Sequence, residues 1–299
     1  MAWPIVIATN GMGIPVTESA SAFATPVEIA ANGYGTPVVM VASGGLPVKG
    51  ATYQYVNAEA SALAARFTTP PTYARAALID TLVGALKTAG VWAKLDALYV
   101  MAAADSQAAR QNWIANLYNA TAVSGPSFTA DRGYTGNNSS SYVDTNFNPA
   151  TAAGKFQQNS AYFMVWSLTN QQGSAIGGWF DGTDGVTLAP RTFSDVMGGR
   201  ANQPAVVVTP ANTDSRGQFS VARSSSSDFG VRKNGVSAAD STTASTALNN
   251  NSLYLGRSSA SSYSNYQMPV AAAGQYLTPT EDLAAYTAIN TYLQAVGAV

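Results

Sequence analysis

Beyond Lys94 the chain is a succession of short apolar runs parted by clusters of Gly, Asn and Ser, and few folds accept that texture. Leu98-Tyr99-Val100-Met101, Ala161-Tyr162-Phe163-Met164-Val165-Trp166, Ala205-Val206-Val207-Val208 and Leu253-Tyr254-Leu255 are strand-sized, too short for helices. Their order predicts a mainly β fold, an antiparallel sandwich over residues 94–299. Asn234-Gly235, after Phe229-Gly230-Val231-Arg232-Lys233 and before Val236, supplies the positive φ angles of a type I′ hairpin turn. A helix closes the chain, with Thr278 as N-cap, Pro279 as first residue and Glu281 completing a capping box. Leu283, Tyr286, Ile289 and Leu293 are its expected buried stripe.

Residues 53–93 read differently. An Ala-rich helix is expected over 58–66, broken by Pro70-Pro71 from a second one. Ala76, Ile79, Leu82, Val83 and Leu86 trace one apolar stripe that stops at Gly90, the pattern of a helical hairpin or collar. Residues 1–52 carry a repeat: Pro4-Ile5, Pro15-Val16, Pro26-Val27, Pro37-Val38 and Pro47-Val48 recur about every eleven residues. Each unit reads as a Gly/Asn turn and a short strand, as in Asn32-Gly33-Tyr34-Gly35-Thr36-Pro37-Val38. Strands this short gain stability from copies in neighbouring subunits or from another protein's surface. Pro15, Val16, Pro26, Val27, Pro37 and Val38 are therefore candidate anchoring or oligomerisation positions; a hairpin meander packed on the rest of the chain is the alternative.

Composition removes several kinds of chemistry. Among 299 residues there is no His and no Cys, which excludes Ser-His-Asp hydrolysis, thiol nucleophiles and disulfide scaffolds. Fifteen Lys plus Arg against 16 Asp plus Glu leave no basic field for a nucleic acid. Charged residues make up only 10%, so the surface is covered by neutral polar groups, which favours association over repulsion. A β-protein that tolerates low charge accounts for the same composition. The apolar run between Asp96 and Asp105 is far short of the roughly 20 residues a membrane span needs, and residues 1–9 lack a basic leader, so no membrane insertion is expected.

The order of motifs in the last two-thirds resembles the laminin-G-like or concanavalin-A-like jelly-roll module of tailed-bacteriophage virion proteins. The likeness is carried by Phe128-Thr129-Ala130-Asp131-Arg132-Gly133-Tyr134-Thr135-Gly136, Ser141-Tyr142-Val143-Asp144-Thr145, the Asn234-Gly235 hairpin, Leu253-Tyr254-Leu255-Gly256-Arg257 and the closing helix. The amino-terminal Asn-Gly-x-Gly-x-Pro-Val units resemble the starts of phage fibre and appendage proteins. The resemblance implies a virion-located structural protein of the fibre, spike or decoration type. It further implies a homotrimer, contacts to other virion proteins through residues 1–52, and a possible host-surface glycan as ligand.

Jelly-roll glycosidases work with paired carboxylates flanking the scissile bond. Glu18, Glu28, Glu59 and Glu281 are the only glutamates, none on an expected sandwich strand, so no catalytic residue is assigned and no enzymatic activity is expected. Asp181-Gly182-Thr183-Asp184 offers two carboxylates that a Ca²⁺ ion could use, or a hairpin turn that needs none; no metal ligand or cofactor is assigned. Trp179, Tyr263 and Tyr266 lie on or beside expected loops, where aromatic faces could stack on sugars or serve as core. The candidate ligand-binding set is Trp179, Asp181, Asp184, Tyr263 and Tyr266.

Overall fold

The computed structural model describes residues 52–299. The expected anchoring positions Pro15, Val16, Pro26, Val27, Pro37 and Val38 lie outside the described residues. In chain order the first elements are helices α1 (Ala58–Ala64) and α2 (Tyr73–Thr88), then strands β1 (Leu95–Val100), β2 (Thr121–Val123), β3 (Ser127–Thr129), β4 (Gly133–Thr135) and β5 (Tyr142–Asp144). There follow β6 (Ala161–Ser167), β7 (Gly177–Phe180), β8 (Gly185–Ala189), β9 (Val196–Ala201) and β10 (Val207–Ala211). The last are β11 (Gly217–Ser225), β12 (Asp228–Lys233), β13 (Val236–Ser241), β14 (Tyr254–Leu255), β15 (Gln267–Met268), β16 (Val270–Gly274) and helix α3 (Pro279–Ala295).

Two antiparallel sheets make the jelly-roll sandwich expected from the sequence. One has six strands in the order β1-β16-β6-β11-β12-β13; the other has seven, β10-β9-β8-β7-β14-β5-β2. A small third sheet, β15-β4-β3, flanks them. Neighbouring strands far apart in sequence, such as β1 beside β16 and β6 beside β11, are the crossovers of a jelly roll rather than a simple meander.

Strands β1, β6 and β16 of the six-stranded sheet are covered on both faces, which explains why they read as nearly unbroken apolar runs. Along β6, Ala161, Phe163 and Val165 join the core shared with the seven-stranded sheet, while Tyr162, Met164 and Trp166 face a second core. That second core is made with the helices: Leu63, Ile79, Leu82, Val83 and Leu86 from α1 and α2, and Ile289, Tyr292 and Leu293 from α3. Each such side chain contributes roughly 1.5–3 kcal/mol by leaving water. The helices are thus a layer of the molecule and not a separate collar over 53–93, and Gln54–Val299 is one compact unit. Among the described residues no helix is long and apolar enough to cross a membrane.

Helix α3 begins as expected. Thr278 accepts from Glu281 N–H, the Glu281 carboxylate accepts from Thr278 N–H, and Pro279 opens the first turn. Its stripe differs from the expected one: Leu283 is 45% exposed, while Asp282 is fully buried. Asp282 accepts from Tyr162 Oη at 2.5 Å, Gln218 Nε2 at 2.7 Å and Ser220 Oγ at 2.7 Å, with Arg232 Nη1 at 3.4 Å. A carboxylate supplied with donors from β6, β11 and β12 takes the place of an apolar residue. Burial, reinforced by that carboxylate, pushes the Tyr162 hydroxyl well above its ordinary range.

Candidate functional site

Strand alternation prepares the site. On β5 and β14, Val143 and Leu255 are fully buried in the sandwich core and are opposite one another in register. Their neighbours Tyr142 and Tyr254 therefore take the other face of the seven-stranded sheet, where both are half-buried. Tyr142 and Tyr254 meet edge to face, with centroids 5.2 Å apart. Trp179, at the end of β7, packs edge-on against Tyr254, also at 5.2 Å. It follows Gly178, whose φ of 109° and close approach to Val186 O, 2.0 Å from where a Cβ would stand, leave no room for a side chain.

A loop adds the rest. Gly256 ends β14 at φ 80°, and the chain returns through a serine-rich turn pinned by Ser258 N–H to Ser262 O (3.0 Å) and Ser264 N–H to Gly256 O (2.9 Å). A bridge between Arg257 and Tyr263 sets these two side by side, and Phe180 N–H donates to Ser258 O, tying the loop to β7. Tyr263 comes within 6.2 Å of Tyr142, centroid to centroid.

The Arg257 guanidinium sits amid these rings, 4.8 Å from the centroid of Tyr142, 5.0 Å from Trp179, 5.2 Å from Tyr254 and 5.3 Å from Tyr263. Each contact is worth roughly 0.5–1 kcal/mol where exposed and more where dry. Its Nε donates to Ser259 O at 2.9 Å, and it makes no ion pair among the described residues. Asp144, opposite Tyr254 in register, instead accepts from Asn146 N–H. Burial, with Asp144 and Tyr142 adding to it and Arg257 opposing, raises the Tyr254 hydroxyl. Trp179 Nε1 and the hydroxyls of Ser141 and Ser264, residues adjoining Tyr142 and Tyr263, are buried without a hydrogen-bond partner.

Of the residues singled out from sequence, Trp179 and Tyr263 meet at Arg257. Asp181 and Asp184 form the neighbouring β7–β8 turn: Asp181 Oδ1 accepts from Thr183 N–H (2.9 Å) and Asp184 N–H (3.0 Å), which hold its carboxyl below the usual range. Asp181 Oδ2 accepts from Asn249 Nδ2, so this carboxylate does the work of a turn, and the described residues hold no cluster of three or more His, Cys, Asp or Glu for a metal. Tyr266 requires a correction. It is fully buried in the sandwich core, its hydroxyl donates to Gln171 O and Arg191 O, and burial pushes that hydroxyl up to about 12, so it presents no face to a ligand. Tyr142, Tyr254 and Arg257 were missed, although a tyrosine between two strand positions destined for the core, as in Leu253-Tyr254-Leu255, marks an outward ring.

No protein-family model matches the chain, and no characterised protein matches it in sequence. Among solved structures it is similar to domain 4 of an extracellular arabinanase from Geobacillus stearothermophilus, in complex with arabinotriose: 13% identity, 64% of this chain and 97% of that one, TM-score 0.41. It is also similar to Trypanosoma rangeli sialidase in complex with 2,3-difluorosialic acid, at 11% identity and TM-score 0.48, spanning 73% of this chain and 40% of the sialidase. The CBM40 of the Ruminococcus gnavus IT-sialidase, bound to α2,3-sialyllactose, shows 13% identity, 49% and 92% coverage and a TM-score of 0.38. With each of these scores below 0.5, what those proteins bind stays with them.

Proposed function

We propose that the chain is a carbohydrate-binding protein, taking sugar rings on the outer face of its seven-stranded sheet at Trp179 and Tyr263. One observation supports this: four aromatic rings converge on a half-buried outward point instead of joining the core. A contiguous cluster of rings on an outer face marks an interaction site, where singly scattered ones do not. A pyranose ring offers C–H faces to stack on such rings and hydroxyls for the polar rim, here Ser259, Ser261 and Ser262 of the 256–264 loop. Binding without hydrolysis fits the carboxylates, since Glu59 and Glu281 lie on helices and are ion-paired with Lys87 and Lys94.

A glycan array probed with the full chain tests the reading. The expected result is retention on a defined set of glycans, about tenfold or more weaker for Trp179→Ala, the size of an interface anchor's loss. A chain that is retained on no glycan overturns it.

A further inference from the structure

We infer that the sugar bound at this face carries a carboxylate, and that Arg257 is its partner; the inference rests on the carbohydrate-binding reading above. The first reason is the state of the guanidinium. Of its donors only Nε is used among the described residues, on Ser259 O. Several other arginines of the described residues have their terminal nitrogens occupied, although half-buried Arg110 also uses only Nε, on Ser106 O. Arg223 donates to the carbonyls of Ser225, Ser226 and Thr243 and to Gln203, and Arg232 to Leu277 O. Arg191 and Arg216 are ion-paired with Asp195 and Asp214. Arg257 keeps its outer fork unclaimed at a half-buried position, and unlike Arg110 it does so with four rings packed on its guanidinium.

The second reason is pre-organisation. An exposed arginine loses rotamer freedom on gripping a ligand, which offsets much of what the contact contributes. Rings on several sides of Arg257, together with the Nε bond, hold the guanidinium before any ligand arrives. A planar fork held in one place matches a planar carboxylate through two parallel hydrogen bonds. The third reason is the surroundings. Asp144, opposite Tyr254, accepts from Asn146 N–H and makes no ion pair with Arg257. A sugar ring stacked on Trp179 or Tyr263 would place an equatorial carboxyl within reach of the guanidinium that both rings flank.

The test is affinity electrophoresis of the full chain through gels containing polygalacturonate, alginate or hyaluronan. Each is paired with its methyl ester, which keeps the sugar and masks the charge; dextran sulfate and a neutral glycan retained on the array complete the panel. The expected result is that at least one hexuronan retards the chain about tenfold or more strongly than its own ester, the gap one charge-assisted bidentate pair supplies. Arg257→Gln abolishes that gap, and Arg257→Lys, with the charge but no fork, recovers only part of it. The ester comparison uses the unaltered protein, so it decides even if a variant folds poorly. Equal retardation by acid and ester, or by dextran sulfate and hexuronan, overturns the inference. Retardation by the neutral glycan with none by any hexuronan overturns it while leaving the carbohydrate reading intact. Retention on no glycan of the array overturns both.

Discussion

At the scale of single residues, Asp282 is where the fold is most exposed to one change. Its carboxylate is fully buried and collects donors from Tyr162, Gln218, Ser220 and Arg232. Replacing it with alanine leaves the Arg232 guanidinium buried on the Leu277 carbonyl without its counter-charge. Removing one partner of a buried pair costs about 3–5 kcal/mol, so Asp282→Ala is expected to lose that much in urea unfolding, whereas Leu283→Ala, at an exposed position, should stay within about 0.5 kcal/mol. A loss below about 1 kcal/mol for the aspartate would show that the network is not holding α3. This residue also marks what the sequence can convey. A helical stripe is read by seeking apolar residues, which points at Leu283; the donors that make Asp282 an inward residue come from positions 50 to 120 residues away. Arg257 is the same kind of case. Trp179 and Tyr263 are legible as loop aromatics, but their meeting at one guanidinium depends on strand register and on a loop bridge that no local pattern encodes.

At the scale of elements, α3 and the β12–β13 hairpin are coupled. Asn234 and Gly235 adopt φ values of 53° and 75°, as a type I′ turn demands, and a Cβ on Gly235 would stand 2.4 Å from the Leu283 Cα. The turn therefore needs glycine for its left-handed backbone and again for its seat against the helix. Gly235→Ala is expected to destabilise by at least about 1–2 kcal/mol from the backbone alone, read as a lower urea midpoint. The start of α3 gives a pH dependence. Burial raises the Glu281 carboxyl, but Lys94 and the Thr278 N–H and hydroxyl outweigh it and hold it below its ordinary value of 4.5. A depressed carboxyl stabilises the fold fully above that ordinary value and less as pH falls through the folded one. Urea midpoints of the unaltered chain and Glu281→Gln should therefore differ at pH 7 and converge below about pH 4.5; a constant gap across that range contradicts the coupling. Local signals served well here, because caps and two-residue turns are decided by adjacent residues. Edges were less legible: the run at 205–208 predicts a strand that forms instead at Val207–Ala211, since pairing with β9 chooses which residues extend.

At the scale of the whole molecule, the two cores share one sheet, and this sets how the protein comes apart. A helical collar distinct from the sandwich is the natural reading of a composition change near Lys94, because composition records what a segment is made of and not what it covers. In the fold, Val91, Trp92 and Leu95 at that junction are buried in the same core as Tyr162, Met164 and Trp166. Lys94 is bound from the far end of the chain, its carbonyl by Gln275 N–H and its ammonium by Glu281. Stripping α1 and α2 would uncover the outer face of β1, β6 and β16, while α3 alone cannot cover it, since Trp113 and Tyr292 pack edge to face beneath α2 and Arg75 of α2 reaches Tyr292 Oη. Limited proteolysis of the full chain should therefore yield no stable product beginning near Lys94. Mass spectrometry of the fragments decides the matter. A persistent, folded 94–299 product would mean that the six-stranded sheet tolerates an open face and that the helices are an appendage after all; its absence makes the helices a layer whose removal unfolds the opposite sheet and, with it, the face proposed to bind glycans.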